Sequence, residues 1–236
     1  KALRAILNRA NAEGVGSVAT YPFGRGGFEV SKLEEATAKR YLPAAELSKL
    51  KSATANNPQC EYARKLFLFS YYCYGISFID MAMLTAAHIK QMEDGDYIVY
   101  KRQKIKRQKG VKPISIKITP AIRQLIESLQ AASPTVDDFL LPVVTRSGYT
   151  GERLYMHIRT RYSKYQKYLR LLAEELGIDF HLTSYVSRHT AAMTLQRNHI
   201  PREVISQMLG HADLETTNVY LDSFDNGVIN EAAKVL

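Results

Sequence analysis

Leu209-Gly210-His211-Ala212-Asp213-Leu214-Glu215-Thr216-Thr217-Asn218-Val219-Tyr220 organises the reading of this chain. Gly210 ends a helix whose first turn holds Pro201 and whose apolar face is Val204, Ile205, Met208 and Leu209. Asp213 can cap the next short helix. His211 is therefore expected in a tight connection just past one helix end, and Tyr220 about two turns into the following helix. Upstream, Ser187-Arg188-His189-Thr190 falls on another helix, which Thr183 or Ser184 can cap and which runs to about Arg197.

Working outward, most of the remaining pattern is helical. Residues 1–13 place Leu3, Ile6, Leu7 and Ala10 on one face, and Gly14 and Gly16 end that helix. Tyr21 to Gly27 has the composition of a linker. Residues 44–53 and 59–74 read as helices; the second is apolar nearly all round and so central. A helical pattern resumes from Phe78 to Ala86. Tyr97 to Tyr100 and Ile114 to Ile118 are β-like, separated by a basic segment with Gly110 and Pro113. Pro120 starts a helix through Leu129, and Leu154 to Leu176 is a long helix closed by Gly177. The fold class is mostly α with a small antiparallel β-sheet, an α+β domain.

The chain has 236 residues, of which 46% are hydrophobic, enough for one sizeable core and an accessory piece. Its formal charge of +9 favours a polyanionic partner. Cys60 and Cys73 make neither a disulfide framework nor a zinc ribbon, which fits a reducing compartment such as the bacterial cytoplasm. No apolar run reaches the roughly 18 residues of a membrane span. The six histidines show no His-Glu-x-x-His pattern, so a zinc enzyme is not expected. The opening Lys-Ala-Leu-Arg reads as mid-helix, as in a fragment of a longer protein.

Arg188 offers a planar donor fork suited to two phosphate oxygens, although a lone arginine is more often a surface ion pair. Tyr185 lies three residues before it on the same helical face. His211 can interact with the helix end, or donate to or accept a proton near a phosphate. Tyr220, one of 15 tyrosines, needs cationic neighbours and a proton acceptor to act as a nucleophile, because a free phenol has a pKa near 10. Arg188 and His211 could supply both if the helices converge. Lys101, Arg102, Lys104, Lys106 and Arg107 crowd the segment between the two strands. Most such residues are solvated or contact phosphate backbone, and one lysine at a hairpin tip can protonate a leaving alkoxide. Arg159, Arg161 and Lys164, with Lys167 and Arg170, form a second basic stretch interleaved with tyrosines, a candidate DNA-facing side.

On these residues the chain resembles the tyrosine recombinase, or phage integrase, family. Arg188-His189-Thr190 is similar to the family's Arg-His-Thr box, and Leu209-Gly210-His211 with Tyr220 nine residues after the histidine is similar to its Leu-Gly-His to Tyr box. Lys104 matches the β-hairpin lysine. Tyr185 stands where that box usually has a histidine, as in members from Bacteroidetes mobile elements. The resemblance covers residues 28–236; residues 1–20 resemble the last helix of a separate core-binding domain, 21–27 a linker, and 221–236 a C-terminal tail. One position departs. The family's first catalytic arginine sits in a Gly-Leu-Arg turn, whereas this chain has Gly75-Ile76-Ser77, preceded by Tyr74. Losing one donor to a transition-state oxyanion costs about 2.7–4 kcal/mol. Arg64 is the nearest preceding cation that could substitute.

The resemblance implies cleavage and rejoining of double-stranded DNA through a 3′-phosphotyrosyl link at Tyr220, without metal or other cofactor. Arg188, His211 and Tyr185 would bind the phosphoryl group and Lys104 would protonate the leaving oxygen. It also implies self-association on DNA as a synaptic tetramer, with the tail, whose Val228, Ile229, Ala232 and Val235 follow a helical pattern, packing on a neighbour. Two alternatives remain at this level: a DNA-binding or architectural member crippled at Ser77, and a type IB topoisomerase-like nicking-closing enzyme.

Overall fold

Gly14 closes the first helix, α1 (Ala2–Ala12), in a left-handed turn at φ 72°. In this computed structural model the described residues are 2–24, 27–29, 41–106, 110–211, 217 and 221. The chain divides into two compact units, residues 1–38 and 39–236. In the first, α1 leaves Leu3 and Ile6 exposed, a short 3-10 turn covers Val18–Thr20, and Phe23 bridges Phe28.

The second unit is built around one buried helix. α2 (Ala44–Ser52) leads to α3 (Pro58–Tyr72), where Asn57 Oδ1 accepts the Gln59 and Cys60 N–H groups at 2.8 and 3.4 Å. Proline in the first turn gives up no helical hydrogen bond there. Leu66, Phe67 and Phe69 are completely buried, as the all-round apolar pattern requires. α3 packs against three later helices, α5 (Pro120–Ala132), α6 (Gly151–Glu175) and α7 (Val186–Arg197). Between α3 and α5 come the short α4 (Phe78–Ala82) and a three-stranded antiparallel sheet, β1 (Ile89–Met92), β2 (Gly95–Tyr100) and β3 (Ile114–Lys117), in the order β1-β2-β3. Ile98 pairs with Ile116 and Tyr100 with Ile114, so one face of β2 and β3 enters the core. α8 (Arg202–Leu209) closes the described part of the domain, with Ile205 and Leu209 packed among Ala192, Met193 and Leu221.

Three sequence expectations change. The sheet has a third strand, β1, paired antiparallel with β2; three of its four residues are exposed and show no alternation, so its sequence carries no strand pattern. α4 stops at Ala82 rather than Ala86, the following residues forming a turn and the 3-10 segment Ala86–His88. Neither Thr183 nor Ser184 caps α7: Tyr185 holds that position and its side chain makes no capping bond, while the Ser184 Oγ lies 3.1 Å from the Tyr162 hydroxyl. The helix predicted after Asp213, and the tail beyond Leu221, lie outside the described residues.

Candidate active site

Arg188 reaches the interior because α7 is buried on nearly every side, with Val186, Ser187, Thr190, Ala191 and Ala192 all enclosed. Its side chain is 4% exposed and threads between two chain segments. Nη1 donates to the Gly75 carbonyl at 3.1 Å, and Nη2 donates to the Leu209 carbonyl at 2.5 Å and to His211 Nε2 at 2.8 Å. Carbonyl dipoles thus compensate a guanidinium that would otherwise be expensive to desolvate.

Both flanking segments owe their shape to glycine. Just past the end of α3, Tyr74 and Gly75 take left-handed conformations, φ 58° and 72°. A Cβ on Gly75 would lie 2.4 Å from Arg188 Cα, so only glycine lets the turn approach α7. At the end of α8, Gly210 has φ 64°, and a Cβ there would meet Ile114 Cδ1 at 2.3 Å. This close approach seats the α8 terminus against β3 and presents His211 to Arg188.

The His211 ring bridges two groups. A guanidinium cannot accept a hydrogen bond, so Nε2 carries the lone pair, and the proton sits on Nδ1, 2.7 Å from Thr217 Oγ1. His211 is thereby the neutral Nδ1–H tautomer, with its basic nitrogen turned toward Arg188. Thr217 is wholly buried and escaped the sequence reading, since nothing in its spacing distinguishes it from Thr216.

Asp80 is a second buried polar group the motif reading missed, 3% exposed. Its Oδ2 accepts from Ser77 Oγ at 2.6 Å and its Oδ1 accepts the Gln103 N–H at 2.7 Å. Ser77 Oγ also accepts the Asp80 N–H at 3.3 Å, which makes Ser77 the cap of α4. A serine followed three residues later by an acid is a helix-capping signature, and that signal was present in the sequence. The carboxylate therefore ties α4 to the β2–β3 connection one residue before Lys104.

The other expected residues divide. Lys101, Lys104 and Lys106 are exposed on that connection, as are Arg159 and Lys164 on α6. Arg102 is half-buried, its Nη1 3.4 Å from the Gly210 carbonyl, the carbonyl next to the one Arg188 holds. Arg161 Nε donates to the Val143 carbonyl at 3.2 Å and the guanidinium lies over Tyr62, 5.8 Å from the ring centre. Tyr185 is half exposed, its ring edge-on to His189 at 5.4 Å. Arg64, the nearest arginine before the Gly75 turn, forms a two-bond ion pair with Glu61, both contacts 2.7 Å, and donates to the Leu50 carbonyl at 2.9 Å. Tyr220 and Arg107 lie outside the described residues.

Tyr100 reports the charge distribution. Burial and then the Asp80 carboxylate push its phenol far above the ordinary value, while Arg188 and Arg102 pull it back. Two guanidiniums and one carboxylate thus surround the end of β2.

Residues 40–226 match the model of the Phage integrase family. The chain belongs to that family. Among curated relatives, tyrosine recombinase XerD of Halalkalibacterium halodurans is 41% identical over 54 residues, 23% of this chain and 18% of the relative. Tyrosine recombinase XerD of Brucella abortus biovar 1 is 30% identical over 121 residues, 48% of this chain and 36% of the relative. The matched segments therefore span only about a fifth to a third of these relatives. Solved structures share the fold. The XerA recombinase superposes with TM-score 0.58 at 19% identity, covering 85% of this chain and 65% of that one. A Tn1549 transposon integrase in complex with a circular intermediate DNA gives TM-score 0.63 at 13% identity, covering 99% and 77%. XerH bound to its difH substrate in a pre-cleavage complex gives 0.60 at 17%, covering 98% and 61%.

Proposed function

We propose that this integrase-family chain is the catalytic domain of a site-specific DNA recombinase that cleaves and rejoins double-stranded DNA through a 3′-phosphotyrosine at Tyr220. The observation carrying this reading is the 2.8 Å contact between Arg188 Nη2 and His211 Nε2, which brings the two motifs together. Residues 1–20 fit the last helix of a core-binding domain, and 21–27 a linker.

A scissile phosphate draws the Arg188 N–H groups to its non-bridging oxygens and displaces the His211 lone pair from the guanidinium. Nε2 then accepts the phenol proton as Tyr220 Oη attacks phosphorus. The P–O5′ bond breaks, and Lys104 gives the O5′ its proton. The phosphodiester is exchanged for a phosphotyrosyl ester, so a 5′ hydroxyl from another strand can reverse the step without ATP. Tyr185 adds a phenolic donor from the exposed edge of α7. Arg102 supplies the second guanidinium that Ser77 does not, since its side chain already sits one carbonyl from Arg188. Arg159 and Lys164 lie exposed on α6 and contact the DNA backbone; Lys167 and Arg170 of the same helix line, with His181, an open groove of about 470 Å³. On DNA the protein assembles into a synaptic tetramer through the tail from residue 221, in the cytoplasm of a bacterium.

The test is a suicide DNA that traps the covalent adduct. Wild type and Arg102→Lys give adduct, Arg102→Ala gives roughly a hundred-fold less, and Tyr220→Phe gives none. Adduct from Tyr220→Phe refutes the nucleophile. Undiminished cleavage by Arg102→Ala refutes the second guanidinium, and DNA binding without adduct in wild type favours an architectural role.

A further inference from the structure

Two buried hydroxyls adjoin the Arg188 site without touching the guanidinium. Ser70 on α3 and Ser187 on α7 are 1% and 0% exposed, with their Oγ atoms 2.7 Å apart. Ser70 Oγ also lies 2.8 Å from the Ile76 carbonyl, and Ser187 Oγ 2.8 Å from the Ser184 carbonyl. Ile76 stands between Gly75, which receives the Arg188 guanidinium, and Ser77, which caps α4. Ser187 immediately precedes Arg188.

Two hydroxyl hydrogens serve three contacts. Either Ser187 donates to Ser70, which donates to the Ile76 carbonyl, or Ser70 donates to Ser187, which donates to the Ser184 carbonyl. If both hydrogens pointed to the carbonyls, two bare oxygens would face each other at 2.7 Å and repel. The Oγ–Oγ link is therefore the contact made in both arrangements, and it joins α3 to the first turn of α7. Ser70 also accepts the Gly75 N–H at its own carbonyl, 2.7 Å away, so one residue grips the turn twice.

We infer that Ser70 and Ser187 form a latch that sets the spacing between the Gly75 turn and α7 and so aims the Arg188 guanidinium at the scissile phosphate. They are positioning residues, and the role rests on the recombinase reading above. The latch differs from a mere stability element in one respect. Removing either hydroxyl leaves the other a carbonyl of its own, so no buried donor is stranded and the fold loses little. What is lost is the link between the two segments.

The experiment compares Ser70→Ala, Ser187→Ala and the double variant with wild type. Single-turnover adduct formation at saturating DNA is expected to slow by roughly ten- to a hundred-fold in each single variant. DNA affinity and the thermal midpoint stay near wild type, and the double variant is no slower than the slower single, as one shared contact requires. In nitrogen-edited spectra of the DNA-free protein, the Arg188 guanidinium N–H signals shift or broaden in each variant. Wild-type cleavage rates in both single variants, or unchanged Arg188 signals, overturn the latch. If wild type itself forms no adduct the recombinase reading fails, and the Arg188 signals still decide the latch. Should one single variant fail to fold, the other carries the same test.

Discussion

Gly75→Ala puts the geometry of the site under direct strain. The added Cβ would stand 2.4 Å from Arg188 Cα and 2.5 Å from its Cβ, against an ordinary contact of at least 3.4 Å. Backbone on both sides must separate by about 1 Å, since neither neighbouring atom is the tip of a flexible side chain. The left-handed φ of 72° adds about 1–2 kcal/mol for any residue with a Cβ. Overpacking contributes about 1–3 kcal/mol more. The total, about 2–5 kcal/mol, is a large part of the stability of an ordinary domain. Gly148→Ala is the control, because Gly148 has the same φ of 72° and a methyl there would meet nothing within 4 Å. Denaturant unfolding should show Gly148→Ala losing only the backbone share, and Gly75→Ala losing at least about 1 kcal/mol beyond it. The displaced guanidinium should slow adduct formation on suicide DNA by about a hundred-fold at conditions where both proteins are folded. If the two alanine variants prove equally stable and equally active, the close approach of the turn to α7 is not what positions Arg188.

Three further outcomes follow from named contacts. Asp80→Ala releases Gln103 and with it Lys104, so cleavage falls by about ten- to a hundred-fold, and a DNA with sulfur at the leaving 5′ position, which needs no acid, restores the rate; a defect persisting on that substrate counts against the tie. Glu61→Ala strands the buried Arg64 charge and should destabilise the domain by about 3–5 kcal/mol in chemical unfolding, whereas a loss below about 1 kcal/mol would show the pair to be solvated. His157 accepts the Thr145 N–H at 3.2 Å, and burial followed by Arg161, Arg146 and Lys164 holds its pKa below the usual 6.5. In the window below 6.5 the unfolded chain binds the extra proton first, so this stabilisation is complete above 6.5 and disappears as pH falls through the folded value. His157→Gln should flatten that limb of the stability–pH curve, and an unchanged limb would exclude His157 as its source.

Much of the architecture was legible because it depends on local pattern. The all-round apolar run of α3, the prolines at the starts of α3 and α5, and the stop at Gly210 each act within a few residues. β1 was not legible, since a mostly exposed edge strand lacks alternation. The site divides in the same way. Arg188 and His211 stood out by residue type and spacing. That the Arg64 guanidinium is held by the Glu61 carboxylate three residues away on the same helix face does not follow from its place ahead of the Gly75 turn in the sequence. Asp80 was visible as a capping pattern, but its hold on Gln103 spans 23 residues and needs the sheet to fold back on α4.

By itself, the sequence determined most of the helical segments and the two motifs that resemble the phage integrase family, to which the chain belongs. Those properties arise from covalent neighbours and from periodicity along the chain. Only the tertiary structure decided that Arg188 meets His211, that Arg102 lies one carbonyl away from it, and that two serines 117 residues apart share a hydrogen bond. Such contacts depend on how closely helices pack, and that spacing is set where Gly75 and Gly210 leave no room for a Cβ.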